Sequence, residues 1–115
     1  MRTGIWLLTL ASLALGCCPR WSRARTALEE ARYADALIEL RKLESLAQGR
    51  SSRWQARYAL ERGVAHLALG DAEQAQYWLH RAWVWHDTDP SLYDTTELRR
   101  LIVAWGSLGH MPGDR

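Results

Sequence analysis

The chain has few of the features that commonly identify a specific chemistry. Its 115 residues include three prolines, two cysteines and no phenylalanine, and fifteen basic against thirteen acidic side chains leave a formal charge of +2. This length allows one domain and excludes a multidomain enzyme. Because so small a net charge supplies no basic face for phosphate groups, we expect no nucleic acid partner. The seven tryptophans are unusual in number, but they indicate no mechanism.

The two cysteines are neighbours in the chain, at Cys17 and Cys18. Adjacent cysteines rarely bridge each other because the geometry is strained, so we predict no disulfide framework. The residues that follow them supply no further metal ligand, and the chain contains no glycine-rich phosphate loop and no facing pair of carboxylates. We therefore predict that the protein is not an enzyme and uses neither a metal nor a cofactor.

The first sixteen residues have the pattern of a secretory signal. A short start with one positive charge is followed by an uncharged stretch over residues 5–15 and by a small residue, Gly16. A membrane-spanning helix needs roughly 20 apolar residues, which this stretch does not supply. We expect a cleaved signal peptide over residues 1–16. The alternatives are an uncleaved anchor and a buried N-terminal helix of a cytosolic protein.

The segment from Leu13 to Cys17 resembles the lipobox of bacterial lipoproteins. In that family the cysteine thiol is acylated and the signal is removed just before it. The resemblance implies that Cys17 carries the lipid and anchors residues 17–115 in the bacterial cell envelope, at the periplasmic face of the outer membrane. Ala14 and Leu15 depart from the strongest form of the motif, which has leucine and then a small residue at these places. Secretion without an anchor, or a periplasmic location, is therefore the alternative.

The rest of the chain has the spacing of amphipathic helices. No run alternates β-branched with polar residues, and apolar side chains recur at intervals of three and four. Helix starts are indicated where a side-chain acceptor precedes Gln or Glu by three residues, at Ser52, Asp71 and Asp94. Helix ends are indicated where a left-handed residue is favoured, at Gly49, Gly70 and Gly109. We predict an all-α fold of five helices.

Comparison of the chain with itself indicates an internal period of 39 residues. A shift by this period aligns small with small and large with large residues, pairing Ala24 with Gly63, Ala36 with Ala75, Leu40 with Leu79 and Gly70 with Gly109. Small residues thus recur where the two helices of a hairpin must approach closely.

The middle repeat resembles a tetratricopeptide repeat in the spacing of Gly63, Leu69-Gly70-Asp71, Ala75, Leu79 and Ala82. The resemblance implies an array of α-hairpins with about two and a half repeats, at about residues 20–48 and 52–90, with a terminal helix at 95–108. The first repeat has Glu30-Ala31-Arg32-Tyr33 in place of the Leu-Gly turn, so it forms either a hairpin or one continuous helix.

The same resemblance implies that ligands lie in a groove lined by the first helix of each hairpin. Projected onto this chain, the groove residues are Trp21, Arg25, Leu28, Arg57, Leu60, Val64, Arg99 and Val103. Their arginines are expected to pair with carboxylates or a peptide terminus, and their apolar members to hold side chains. We predict a membrane-anchored module that binds a protein or peptide partner as an envelope scaffold or assembly accessory. The alternatives are a structural subunit packed permanently in a larger envelope complex and a periplasmic accessory enzyme.

The terminal helix carries two apolar stripes, of which only one can bury against the middle hairpin. One stripe contains Ile102, and the other contains Leu101 and Leu108. We expect Leu101 and Leu108 to stay open as a docking face for a partner or a second copy of the chain. Trp83 lies away from the helix face shared by its neighbouring tryptophans, so it is a further candidate for an exposed aromatic anchor.

Replacing the proposed lipid attachment site should change where the protein fractionates. Because the acyl chains would supply the membrane affinity, Cys17→Ala should release the domain from the detergent-extractable membrane fraction. Cys18→Ala, which keeps the thiol of Cys17, is the matched control. An unchanged fractionation of Cys17→Ala, with no acyl chains in the intact mass of the wild-type protein, would contradict the lipoprotein prediction.

Overall fold

The computed structural model describes residues 18–110, which form five α-helices and one short 3₁₀ helix. The helices are α1 (Cys18–Glu29), α2 (Tyr33–Ala47), α3 (Ser52–Ala68), α4 (Ala72–Thr88) and α5 (Thr95–Ser107), with the 3₁₀ turn at Pro90–Leu92. No strand occurs within this range. The predicted all-α fold of five helices is confirmed for this part of the chain, whereas the predicted signal peptide and Cys17 lie outside it. None of the described helices is both long and apolar enough to cross a membrane.

Each helix packs against its neighbour in the chain because the connecting turns are short. α1 packs on α2, α2 on α3 and α3 on α4, and α5 contacts both α3 and α4. Apolar side chains from every helix meet in one core, among them Ala24, Leu40, Leu60, Leu79 and Trp105. α3 therefore lies at the centre of the fold, with helices on three sides.

Side-chain caps set the starts of the last three helices. The Asp71 carboxylate accepts a hydrogen bond from the backbone N–H of Gln74 at 3.2 Å. Asp94 and Glu97 form a reciprocal capping box at 2.7 and 3.0 Å. Both starts agree with the sequence prediction. α3 differs by one residue, because Ser51 rather than Ser52 occupies the cap position.

Among residues 18–110, three turns contain a residue in the left-handed region, and these three residues are spaced 39 apart. These residues are Ala31, Gly70 and Gly109, with φ of 58°, 79° and 88°. The first hairpin therefore has a true turn at Ala31 rather than one continuous helix, even though an alanine in this conformation costs about 1–2 kcal/mol relative to glycine. Gly49, which was predicted to be left-handed, does not have a positive φ.

α3 and α4 approach each other closely at Gly63. A Cβ atom added there would come within 2.5 Å of Leu79 Cδ2 and 3.2 Å of the Leu79 backbone nitrogen. The Leu79 side chain is fully buried, so it has little room to move aside. The crossing therefore depends on the absence of a side chain at residue 63.

The terminal helix buries the stripe that was predicted to stay open. Leu101 is completely buried and Leu108 is half-buried against the core, whereas Ile102 and Val103 are exposed. The face that contains Leu101, Ala104 and Trp105 packs against α3 and α4, which turns Ile102 and Val103 outward. Trp83 is also buried, with 3% of its surface exposed. The predicted exposure of Leu101 and Trp83 is therefore wrong.

The Gly63 crossing can be tested with two glycine-to-alanine substitutions. Gly63→Ala should lower the free energy of unfolding by about 1–3 kcal/mol, because the new methyl group overlaps Leu79. Gly106→Ala is the control, since nothing lies within 4 Å of the added Cβ in α5, and it should raise stability by up to about 1 kcal/mol through helix propensity. Equal shifts in thermal melting of the two variants would show that the crossing is not tight.

Candidate binding groove

Two adjoining depressions lie on the face formed by α1, α3 and α5. The first, of about 350 Å³, is lined by Arg25, Leu28, Glu29, Tyr33 and Glu61 together with Val64 and Arg100. The second, of about 360 Å³, is lined by Leu67, Arg99, Val103 and Ala104, again with Val64 and Arg100. Because Val64 and Arg100 belong to both, the two depressions form one continuous surface, which we call the α1–α3–α5 groove.

Five of the eight predicted groove residues line this groove, namely Arg25, Leu28, Val64, Arg99 and Val103. The other three serve the fold instead. Leu60 is completely buried in the core. The Trp21 ring lies 5.4 Å from that of Trp54, and the Arg57 guanidinium sits 5.6 Å from the Trp21 ring.

Ion pairs join α3 to α5 beside the groove. Glu97 accepts a hydrogen bond from Arg53 at 2.5 Å, and its other carboxylate oxygen lies 3.1 Å from Nε of Arg57. Glu61 receives two bonds from Arg100, at 2.6 and 2.8 Å, and this contact raises the pKa of the Arg100 guanidinium. We call these five residues the α3–α5 ladder. Both carboxylates are largely buried, so the paired arginines are engaged within the protein rather than open to a ligand.

Two groove arginines are left without a carboxylate partner. Arg25 lines the first depression and Arg99 the second, and both are exposed. None of the Arg or Lys ion pairs formed among residues 18–110 involves either of them. Each can therefore donate charge-assisted hydrogen bonds to an incoming carboxylate. Val64, Leu67, Val103 and Ala104 provide the apolar surface of the second depression.

Sequence reasoning missed several residues of this surface, chiefly Tyr33, Glu61, Leu67 and Arg100. A signal for one pair was present, because Glu61 and Arg100 are 39 residues apart and occupy the same position of the period. Such residues can face each other when successive repeats stack. The other two residues gave no comparable signal.

The described residues offer no evident metal site. Within residues 18–110, no three side chains of His, Cys, Asp or Glu come close enough together to hold a metal ion. Comparison with known proteins identifies no relative: no protein-family model, curated protein or solved structure matches the chain. Function is therefore inferred from the groove itself.

The α3–α5 ladder should respond to loss of its carboxylate charge. Glu97→Gln keeps the capping box, which accepts either residue, but leaves Arg53 and Arg57 without a counter-charge. We expect a loss of about 1–2 kcal/mol in the free energy of unfolding, smaller than for a fully buried pair because both arginines are partly exposed. Asp35→Asn, in an exposed pair with Arg32, should leave the melting temperature unchanged. The same small effect for both variants would mean that the ladder does not hold α5.

Proposed function

We propose that the protein is a membrane-anchored interaction module that binds a protein or peptide partner in the α1–α3–α5 groove. The observation that carries this proposal is the combination of an apolar depression with two unpaired arginines, Arg25 and Arg99, on one continuous surface. A partner segment with apolar and acidic side chains complements that surface in both respects.

Each part of the groove would contribute differently to binding. Apolar side chains placed over Val64 and Val103 gain about 25 cal/mol per Å² of buried apolar surface, before the cost of ordering the segment. Val103 is the most exposed large apolar residue of the described chain, at 64%, so it has the most surface to bury. Carboxylates at Arg25 and Arg99 would then fix the register and direction of the segment.

We also propose that the helices form a tetratricopeptide-like array of two hairpins and a terminal helix. The even spacing of Ala31, Gly70 and Gly109 in left-handed turns supports this proposal, as do the two hairpins that the turns at Ala31 and Gly70 connect. In such arrays the first helix of each hairpin faces the concave side. α1, α3 and α5 are the first helices here, and they are the helices that line the groove.

Attachment through an acylated Cys17 would hold the module in the cell envelope, with the outer membrane's periplasmic face as the proposed location. α1 begins at Cys18, so the anchor would adjoin the first helix directly. A structural subunit of a larger envelope complex is the second candidate function. It is favoured by exposed apolar residues outside the groove, such as Ile38 on α2 and Tyr77 on α4, because a permanent interface would cover them.

Site-specific photo-crosslinking of the full chain in cells tests the groove. A crosslinker at Val103 should capture a defined partner, whereas one at Ile38, which is also apolar and exposed but lies on α2, should not. Val103→Glu should reduce partner binding at least tenfold, because it places a carboxylate in the apolar depression. Ile38→Glu is the control and should leave binding unchanged.

The two candidate functions predict opposite results in this experiment. Capture at Ile38 but not at Val103, together with full binding by Val103→Glu, would replace the groove with an interface on α2 and support a structural subunit. Cys17→Ala tests only the lipid anchor. If that variant fractionates like the wild type, the proposed anchor is wrong but the proposed groove is not affected.

A further inference from the structure

A buried network of polar side chains lies at the junction of α2, α3 and α4. At its centre Arg62, only 5% exposed, donates from Nη1 to the Tyr58 hydroxyl at 3.0 Å and from Nε to His66 Nε2 at 3.2 Å. Its guanidinium also lies 3.4 Å from the Glu44 carboxylate of α2 and 4.6 Å from the ring centre of Trp78 in α4. Arg62 therefore ties three helices together.

His66 must be neutral for this arrangement to hold. Its Nε2 accepts a hydrogen bond from Arg62, so the single proton of the neutral ring is on Nδ1. The ring is almost completely buried, and Nδ1 has no hydrogen-bond partner among the described residues. The nearest carboxylate oxygen is Oδ2 of Asp71, at 3.8 Å from Nδ1.

The backbone of His66 also closes the turn between α3 and α4. Its carbonyl accepts from the amides of Leu69 and Asp71 at 3.2 and 3.0 Å. Asp71 in turn caps α4 through Gln74. The ring and the turn are thus parts of one local unit.

We propose that His66 is a pH-sensitive switch whose protonation loosens the packing among α2, α3 and α4. A protonated ring cannot accept from Arg62, and its new Nε2–H points at the Arg62 Nε–H. Two positive charges then share a buried site where the dielectric screening is low. Of the other charged groups nearby, Arg41 of α2 adds repulsion, whereas Asp71 attracts from a half-exposed position.

The direction of the pH effect follows because the His66 ring is neutral when the helices are packed. Burial, followed by the charge of Arg62, lowers the pKa of His66 below its ordinary value of 6.5, and Asp71 offsets only part of this. We call the state with α2, α3 and α4 tightly packed the packed state, and the loosened state the open state. Over this pH range the open state binds a proton on His66 that the packed state does not. The contribution of His66 to stability is complete above pH 6.5 and is lost as the pH falls through the lowered pKa. Between these values, the opening equilibrium shifts by at most tenfold per pH unit for one proton.

His66→Gln isolates the titrating group, because a glutamine amide oxygen can accept from Arg62 but does not titrate. Hydrogen exchange of the full chain, corrected for intrinsic rates, would be followed at the amides of Leu69, Gly70 and Asp71 from pH 7.5 to 5. The wild-type amides should lose protection as the pH falls, by up to tenfold per unit, while those of His66→Gln should not. Asp71→Asn, which preserves the cap, removes an attraction for the protonated ring and should lower the pKa of His66 in the packed state further. The loss of protection should then continue to lower pH than in the wild type.

Histidine titration by NMR keeps the proposal testable if His66→Gln does not fold. In the wild-type protein His66 should titrate below pH 6.5, and its midpoint should fall at the pH where the loss of protection at the α3–α4 turn levels off. A midpoint at or above 6.5 would overturn the proposal, as would equal pH dependence of exchange in wild type and His66→Gln. Neither readout depends on a groove ligand, so the switch and the proposed function can fail separately.

Discussion

The central position of α3 is the constraint on which the rest of the fold depends. α3 contacts α2, α4 and α5, yet its sequence contains several charged or titratable residues, among them Arg53, Arg57, Glu61, Arg62 and His66. A charged group that is buried without a partner costs several kcal/mol. Each of these side chains therefore needs a partner on a neighbouring helix or within α3 itself, and these contacts determine how the helices are placed around it.

The three sides of α3 pack against their neighbouring helices in different ways. Toward α4 the solution is steric, because Gly63 removes the side chain that would meet Leu79. Toward α5 it is electrostatic, because the ladder pairs Arg53 and Arg57 with Glu97 and pairs Glu61 with Arg100. Toward α2 it is a buried hydrogen-bond network centred on Arg62. Because the ladder engages most of the nearby arginines, Arg25 and Arg99 are the groove cations left for a ligand.

Local signals predicted the helices well, whereas the choice of helix face required the tertiary structure. The caps at Asp71 and Asp94 and the turns at Gly70 and Gly109 depend on a few adjacent residues, so their patterns are legible in the sequence. On α5, by contrast, the stripes containing Leu101 and Ile102 are equally apolar. Only the direction from which α3 and α4 approach decides that Leu101 is buried. The prediction that Arg57 binds a ligand differs from the structure for a similar reason. Its partner Glu97 is 40 residues away and on another helix, so no local pattern indicates the pair.

The turn at Ala31 shows that the backbone conformation follows the internal period even where the residue type differs. An alanine holds the left-handed conformation that glycine holds at residues 70 and 109, at an energetic cost that the packing of Ala24 and Ala27 on α2 must offset. Both alanines are buried. The backbone position is thus the same in all three turns even where the preferred residue is missing, which a search for Leu-Gly pairs alone would overlook.

The groove and the His66 network share one stretch of α3. Val64, which belongs to both depressions, lies between Arg62 and His66 in the chain. A loosening of α3 against α2 and α4 would therefore shift the wall of the groove as well. Thermodynamic linkage makes any such coupling reciprocal. A ligand that binds only the packed form would stabilise neutral His66 and lower its pKa further. The protein with an occupied groove would then keep its packing to lower pH than the protein with an empty groove.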